Sequence, residues 1–545
     1  MAGAVFPLDI ESAASYGIAK WRKEFTWPLL YDDFIHIESQ IKEILDDFIR
    51  KNAGSHLRNR LVLINYKIFA LAYGNLINSL KILKSINEKG LKPLYGHRSI
   101  TFRGLIESGA PLDVFSDFPP IERPHIIRRF KKQGGIWKYF FNFNKARVLS
   151  LKSIAATKRL VADHSYLNDL AKEYILTGLD GVISVADFHN WLSGFESVQL
   201  SAAQTKEAEA LAGDLTAAVT ETAVHNGLVL TTQQLAYIYG IALECFIKTM
   251  SCSVVLKNRI SKLKPLHLLV GGSSTAFIRT LSSVVRDYGG IVSGFDHGVP
   301  LVCLSGEPGW LELSTVDRFY TYSRNLARCL KEVIRQYPPA NGNAVAIASG
   351  ETRKFHNLWK SKSSEPVPRA IKKVMIVANV FRKDSDMCPF FPMPALVQLD
   401  TVLRIIDALD RGGYEILFKP HPHSMFHKHA GSFFGNNVRV IKGRFEDVMD
   451  MADAFIFYYT RTTTLGTALC TNKPIVSIDG DWEKWLPEMK SCFTRRCRVV
   501  RSKFDDKNRL IIDENELNDA LNERPKRPDT EFLKTYMFPS TRYAV

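Results

Sequence analysis

Short apolar runs closed by glycine, proline or small polar residues recur along this chain, with stretches of helical spacing between them. Residues 1–58 read as a helical, peripheral extension, with ESQIKEILDDFIRK carrying the plainest helical spacing. Leu61-Val62-Leu63-Ile64-Asn65 then predicts a buried strand, Gly74 to Glu88 a helix stopped at Gly90, and 92–97 a second extended piece. Together they make a βαβ unit. From about 100 to 260 helix formers dominate, as in QLSAAQTKEAEALAGDLTAAVTETAV, and no strand alternation is evident. That region predicts a large helical insertion. Strands then fall at 263–272, 290–295, 317–322 and 344–350, with helices over SSTAFIRTLSSVVRDYG and 324–337. Residues 351–371 are polar, contain Pro366 and Pro368, and predict a linker. Beyond them come strands at 373–379, 414–418, 438–441, 454–458 and 474–478, and helices at 396–411 and 464–470.

Near-continuous apolar strands alternating with helices call for parallel sheets covered on both faces. The expected fold is therefore α/β, with two Rossmann-like parallel-sheet domains facing a cleft. The extension spans 1–58, the N-terminal domain 59–350 with its insertion at about 100–260, the linker 351–371, the C-terminal domain 372–522 and a tail 523–545. Open parallel sheets bind ligands beyond the C-terminal ends of their strands, so the loops at those ends are the candidates for chemistry.

Composition changes this picture little. A chain of 545 residues exceeds one ordinary core, and 46% apolar with 23% charged residues is ordinary for a globular protein. No uninterrupted apolar run approaches the roughly 18–20 residues of a membrane-spanning helix. The start MAGAVFPLDIESAASYG lacks the basic stretch and apolar run of a secretory leader. The cysteines are scattered, and Cys492 and Cys497 are too far apart for a CxxC pair, so reduced thiols in a cytoplasmic protein are expected.

Charge adds more. The net charge is +16, and cations concentrate between about 120 and 160. Arg128, Arg129, Lys131, Lys132, Lys138, Lys145 and Arg147 interleave there with Phe130, Trp137, Tyr139, Phe140, Phe141 and Phe143. Cations with interfacial aromatics suit an anionic membrane surface, which makes 123–147 a membrane-contact candidate and, for a cytoplasmic protein, the inner membrane face a candidate location. A solvated basic face over an aromatic core, or single-stranded nucleic acid, would use the same residues. No RNP, KH, zinc-finger or helix-turn-helix signature is present, so no nucleic-acid partner is expected.

Four loops lie at predicted strand ends. Gly271-Gly272-Ser273-Ser274-Thr275 offers small residues and free amides at a helix start, which favour an anion or serve plain turn chemistry. Asp296-His297-Gly298 places an imidazole beside a carboxylate and a permissive glycine, as a general base or as a structural turn. Lys419-Pro420-His421-Pro422-His423 presents a cation and an imidazole on a proline-stiffened loop, suited to a phosphate leaving group. Thr460-Arg461-Thr462-Thr463-Thr464-Leu465-Gly466 gathers hydroxyls and amides at a helix start, for phosphate or for a simple N-cap. His427 and His429 read as surface residues, and no carboxylate or cysteine completes a zinc spacing, so no metal site is expected.

Taken in order across two domains, these loops resemble the GT-B glycosyltransferase superfamily, and more narrowly its bacterial capsule and surface-polysaccharide group. The resemblance rests on Asp296-His297-Gly298, Lys419-Pro420-His421-Pro422 and Thr462-Thr463-Thr464-Leu465-Gly466. Ala452-Asp453-Ala454-Phe455 before the threonines and Lys473-Pro474-Ile475-Val476 after them extend it. It covers 263–480 well and 60–100 loosely. It implies a nucleotide-sugar donor held by Lys419, His421, Pro422 and Thr462–Thr464, with a catalytic role for Asp296 or His297. Gly271, Gly272, Ser273, Ser274, Gly298, Arg461 and His423 would line the cleft. The implied donor is a CMP-activated acidic sugar of the Kdo or sialic-acid type, and the acceptor a glycan, glycolipid or glycoprotein. No cofactor is implied, and Asp384-Ser385-Asp386 does not stand in a loop suited to a divalent metal. A CDP-glycerol glycerophosphotransferase shares the pattern, and a sugar-nucleotide epimerase of the same two-domain architecture is a third enzyme possibility. A non-catalytic scaffold on this fold is the alternative of another class.

Overall fold

The computed structural model describes residues 5–112, 159–162, 170, 183–186, 197–263, 267–271, 275–296, 298, 313–336, 345–349, 353–381, 394–422, 424, 426, 433–483, 485–523 and 527–539. Its strands are β1 Val5–Pro7, β2 Lys92–Leu94, β3 Arg159–Ala162, β4 Ile183–Ala186, β5 His267–Val270, β6 Ile291–Phe295, β7 Arg318–Thr321 and β8 Ala346–Ser349. The second half adds β9 Lys373–Val377, β10 Glu415–Lys419, β11 Val438–Val440, β12 Ala454–Phe457, β13 Ile475–Asp479, β14 Arg498–Phe504 and β15 Leu510–Ile512.

Two large sheets result. The first runs β4-β3-β5-β6-β7-β8 and is parallel throughout. The second runs β11-β10-β9-β12-β13-β14-β15, parallel except where β15 turns back on β14. Its first six strands, counted from β9, follow the Rossmann order, which reverses between β9 and β12. The first sheet follows the other doubly wound order and reverses between β3 and β5. Apolar runs such as Val374–Val377 and Ala454–Phe457 are buried along their whole length because helices cover both faces.

Three regions depart from the sequence expectations. Leu61–Asn65 is not a strand: it lies inside the 33-residue helix His56–Glu88. A short apolar run does not by itself separate strand from helix. Here nothing breaks the helix between its Ser55 cap and Lys89, and Gly74 is absorbed into it. The Asn65 amide donates to the Leu61 carbonyl (2.9 Å) and to the Thr249 hydroxyl (2.9 Å) of the helix Thr232–Leu263. Both helices have the length and composition to cross a membrane, yet 78% of the apolar window of the first is buried. They pack on each other, with Phe69 and Phe246 edge to face at 5.4 Å, in the core of the first domain.

The stretch 100–260 is not purely an inserted helical region, since β3 and β4 are strands of the first sheet. RLVA and ISVA are too short to show a period. The N-terminal extension is not peripheral either. Trp21, Phe25, Trp27 and Phe34 are buried with Val374, Ile376, Leu399 and Ile456 in the core of the second domain. An Arg22–Asp407 ion pair ties it to that domain, and β1 pairs in parallel with β2 in a separate small sheet.

After the first sheet the chain passes between the domains twice more. The predicted linker contains a helix, Lys354–Lys362, whose Phe355 is 1% exposed. The C-terminal tail returns to the first domain as a π-helical turn, Leu533–Met537. Its Tyr536 carbonyl accepts from the Ser323 hydroxyl (2.9 Å), and its Thr535 carbonyl from the Asn325 amide (3.0 Å).

Candidate active site

The register of the second sheet decides which loops emerge together. Val377 pairs with both Lys419 and Phe457, so β9, β10 and β12 end level with one another. Ala378, Pro420 and Tyr458 therefore leave the sheet from one edge, around the point where the strand order reverses. The lysine loop and the threonine turn stand on either side of that point.

Thr462 caps the helix Thr463–Leu469 with its hydroxyl, which accepts from the Thr464 N–H at 3.3 Å. Thr463 is exposed and Thr464 half-buried, so two of the three hydroxyls are not consumed by the cap. Seven residues make only a short dipole, and hydroxyls and amides carry whatever this turn does. Behind it, the buried Arg496 guanidinium donates to the Leu469 (3.4 Å), Thr471 (2.7 Å) and Lys473 (3.2 Å) carbonyls, closing the far end of the helix.

Lys419 does not present its ammonium to the cleft. It is 4% exposed and donates to the Pro420 carbonyl at 2.8 Å. Burial holds its pKa below the ordinary lysine value, with Glu446 pulling the other way. Its role in this geometry is to brace the loop. His421 is half-buried, and its carbonyl accepts from the Ser424 N–H at 2.8 Å; Pro422 is exposed. His423 lies outside the described residues.

On the first domain, Asp296 follows β6 and is fully buried. Its N–H donates to the Tyr320 carbonyl (2.8 Å), and its carboxylate accepts from the Gly298 N–H (3.0 Å). Such an Asx turn ties Asp296 to the backbone of Gly298. His297 itself, like Gly272, Ser273 and Ser274, lies outside the described residues, while Gly271 follows β5, beside the reversal point of the first sheet.

The two domains touch here. A Cβ placed on Gly298 would lie 2.7 Å from Thr463 Cγ2 and 3.5 Å from Thr463 Cα. Glycine is what lets the loop after β6 approach the turn after β12 so closely. The architecture is GT-B-like. No protein-family model matches this sequence, and no curated protein is similar to it. Among solved structures, it is similar to the UDP-GlcNAc 2-epimerase of Methanocaldococcus jannaschii in complex with UDP-GlcNAc and UDP, at 11% identity over 69% of this chain and 94% of that one, TM-score 0.35. It is also similar to UGT89C1 of Arabidopsis thaliana, at 12% identity over 70% and 92%, TM-score 0.35. The glycosyltransferase SnogD of Streptomyces nogalater follows at 10% identity over 70% and 96%, TM-score 0.30. Likenesses this distant carry nothing about activity, and the fold rests on the strand orders and registers above.

Several residues of the site were not anticipated from the sequence. Tyr458, just past β12, accepts at its hydroxyl from the Asn379 N–H (3.0 Å) and the Gln398 amide (3.2 Å), tying the loop after β9 to the loop after β12. Glu483, just past β13, is 5% exposed and accepts from the Thr460 N–H (2.8 Å), the Arg461 N–H (3.1 Å) and the Thr460 hydroxyl. Burial raises its pKa, while these donors and Arg461 oppose the rise. The only sequence signal for it was Asp479-Gly480-Asp481 at a strand end, which marks a turn and says nothing of what that turn holds.

Proposed function

We propose that this protein is a glycosyltransferase that moves an acidic, Kdo- or sialic-acid-like sugar from a CMP-activated donor to a bacterial surface glycan or glycoconjugate. One observation carries the reading: the Asp296–Gly298 loop of one sheet abuts the Thr462–Thr464 turn of the other at Gly298 and Thr463. A donor in that cleft would rest its phosphate on the second domain and expose its reacting carbon to the first. Thr463, Thr464 and His421 are the donor contacts in this reading. Lys419 and Asp296 act indirectly, by bracing their loops. His297, which stands between Asp296 and Gly298 in the sequence, is in this reading the group that meets the acceptor or the departing sugar. Loss of CMP generates anionic charge on phosphate oxygens, which prepositioned hydroxyls, amides and an imidazole stabilise without reorganising.

The test begins with binding. A thermal-shift screen of the whole protein against CMP, CDP, UDP, GDP and ADP should single out a cytidine nucleotide, at about 2.7 kcal/mol when the ligand is 100 times its Kd. Acceptor-dependent CMP release from a CMP-sugar supports the transferase. Release only from CDP-glycerol transfers the assignment to a glycerophosphotransferase, and turnover without acceptor or nucleotide release to an epimerase. If no cytidine nucleotide shifts the melt, the donor assignment is wrong.

A further inference from the structure

The turn that faces Gly298 is not held by its own helix alone. Thr460 and Arg461 leave β12 and precede the threonines, and their two consecutive N–H groups point at one carboxylate, that of Glu483 (2.8 and 3.1 Å). The Thr460 hydroxyl donates to the other oxygen of the same carboxylate. The Thr460 carbonyl in turn accepts from the Thr462 N–H at 2.7 Å, so the anchor reaches the capping residue of the turn in one further step.

Glu483 is itself delivered by a constrained segment. β12 and β13 are neighbours, so the loops after them run side by side. The Asp479 carboxylate accepts from the Asp481 N–H (2.9 Å) and from Lys490 (3.1 Å). Asp481 adopts φ 64°, a left-handed conformation that costs a non-glycine residue about 1–2 kcal/mol. Trp482 is buried and its ring lies 6.0 Å from Phe504. A left-handed residue locked between a carboxylate turn and a buried indole sets the direction in which Glu483 points. Burying a carboxylate costs several kcal/mol unless donors surround it, and here three do. An apolar side chain would fill the same space more cheaply, but could not order two adjacent amides.

We infer that Glu483 is a positioning residue for the donor site, the anchor that presents Thr462–Thr464 to the cleft. The inference rests on reading that turn as a donor contact, and the experiment has one arm that does not. Amide hydrogen exchange of the full-length protein reads the turn directly. Glu483→Gln keeps an oxygen for the two amides but removes the charge that strengthens their bonds and the acceptor of the Thr460 hydroxyl, and should speed exchange at Thr460 and Arg461 by at least tenfold, with exchange in β9 and β10 unchanged. The same two proteins are titrated with CMP well below their melting temperatures. Glu483→Gln should weaken CMP by about ten- to hundredfold, the range for losing hydrogen bonds to a charged group. Thr460→Val removes the same hydroxyl without touching Glu483, and serves if Glu483→Gln does not fold. The two changes made together should weaken CMP no more than Glu483→Gln alone, a coupling that generalised destabilisation would not produce.

Unchanged exchange at Thr460 and Arg461 in Glu483→Gln overturns the anchor. Faster exchange with wild-type CMP affinity overturns its role in donor binding. If the wild-type protein binds no cytidine nucleotide, the donor assignment fails by itself, and the exchange arm still decides whether Glu483 holds the turn.

Discussion

Gly466 sits inside the helix Thr463–Leu469, where replacing glycine by alanine ordinarily stabilises by about 1 kcal/mol. Here a Cβ would lie 2.9 Å from Phe355 Cζ and 3.3 Å from Met537 Cε. Phe355 cannot retreat, being buried with Tyr322 against it at 5.2 Å between centroids. Overpacking of this kind costs about 1–3 kcal/mol and outweighs the helix gain. Gly466→Ala should lower the Tm, and an unchanged or higher Tm would contradict the close approach. Asp46 offers a pH test. Burial pushes its pKa up to about 7, against the Tyr66 hydroxyl and Arg50, which pull it down. An acid raised in the folded state contributes stability in full below its unfolded value of about 4 and loses it as pH rises through about 7. Asp46→Asn should therefore gain on the wild type in Tm from pH 4 to 7, with the gap level above that. Parallel Tm curves across that range would show that Asp46 is not buried as described.

At the scale of elements, the junction between domains is built from the helix Lys354–Lys362 and the C-terminal turn Leu533–Met537. Phe538 packs on His356 (5.1 Å) and Trp359 (5.5 Å), joining the two crossings into one apolar hinge region. Phe355→Ala would remove a buried ring from it at a cost of about 3–5 kcal/mol. The expected outcome is a melting profile in which the two domains separate into distinct transitions. A single, slightly shifted transition would mean that the domains are coupled elsewhere. The same geometry makes Gly298→Val informative, since its side chain would collide with Thr463 across the cleft. It should weaken CMP binding while leaving the Tm close to wild type, because the clash falls between the two domains and not in the core of either.

At the scale of the molecule, the second domain is completed by residues from the far end of the chain. The Asn508 amide donates to the Trp27 (3.0 Å) and Leu29 (3.0 Å) carbonyls, and the Trp27 N–H donates to the Lys507 carbonyl (3.0 Å). A fragment limited to 372–522 would expose the surface that Trp21, Phe25, Trp27 and Phe34 cover. It should aggregate or melt without cooperativity, and a soluble fragment with a sharp transition would refute this. The basic and aromatic residues of 123–147 lie outside the described residues, and we propose them as the membrane contact. Binding to vesicles containing anionic lipid, lost at high salt and absent with neutral lipid, is the expected result. Equal binding to both would exclude the electrostatic reading.

The amino-acid sequence made β5 to β13 legible, because each is an apolar run closed by turn residues. It also put the candidate loops at strand ends, since parallel topology follows from alternation. It misassigned Leu61–Asn65 and overlooked β3 and β4, where four or five apolar residues carry no period and only the surrounding structure chooses between helix and sheet. The burial of Lys419, the contact of Gly298 with Thr463 and the anchor at Glu483 were decided only by the packing of distant parts of the chain. Each depends on which way a side chain points and on what stands opposite. A residue's type can announce that it is able to bind phosphate or accept an N–H. Whether it faces the cleft or holds another residue there is fixed only when the two sheets are packed.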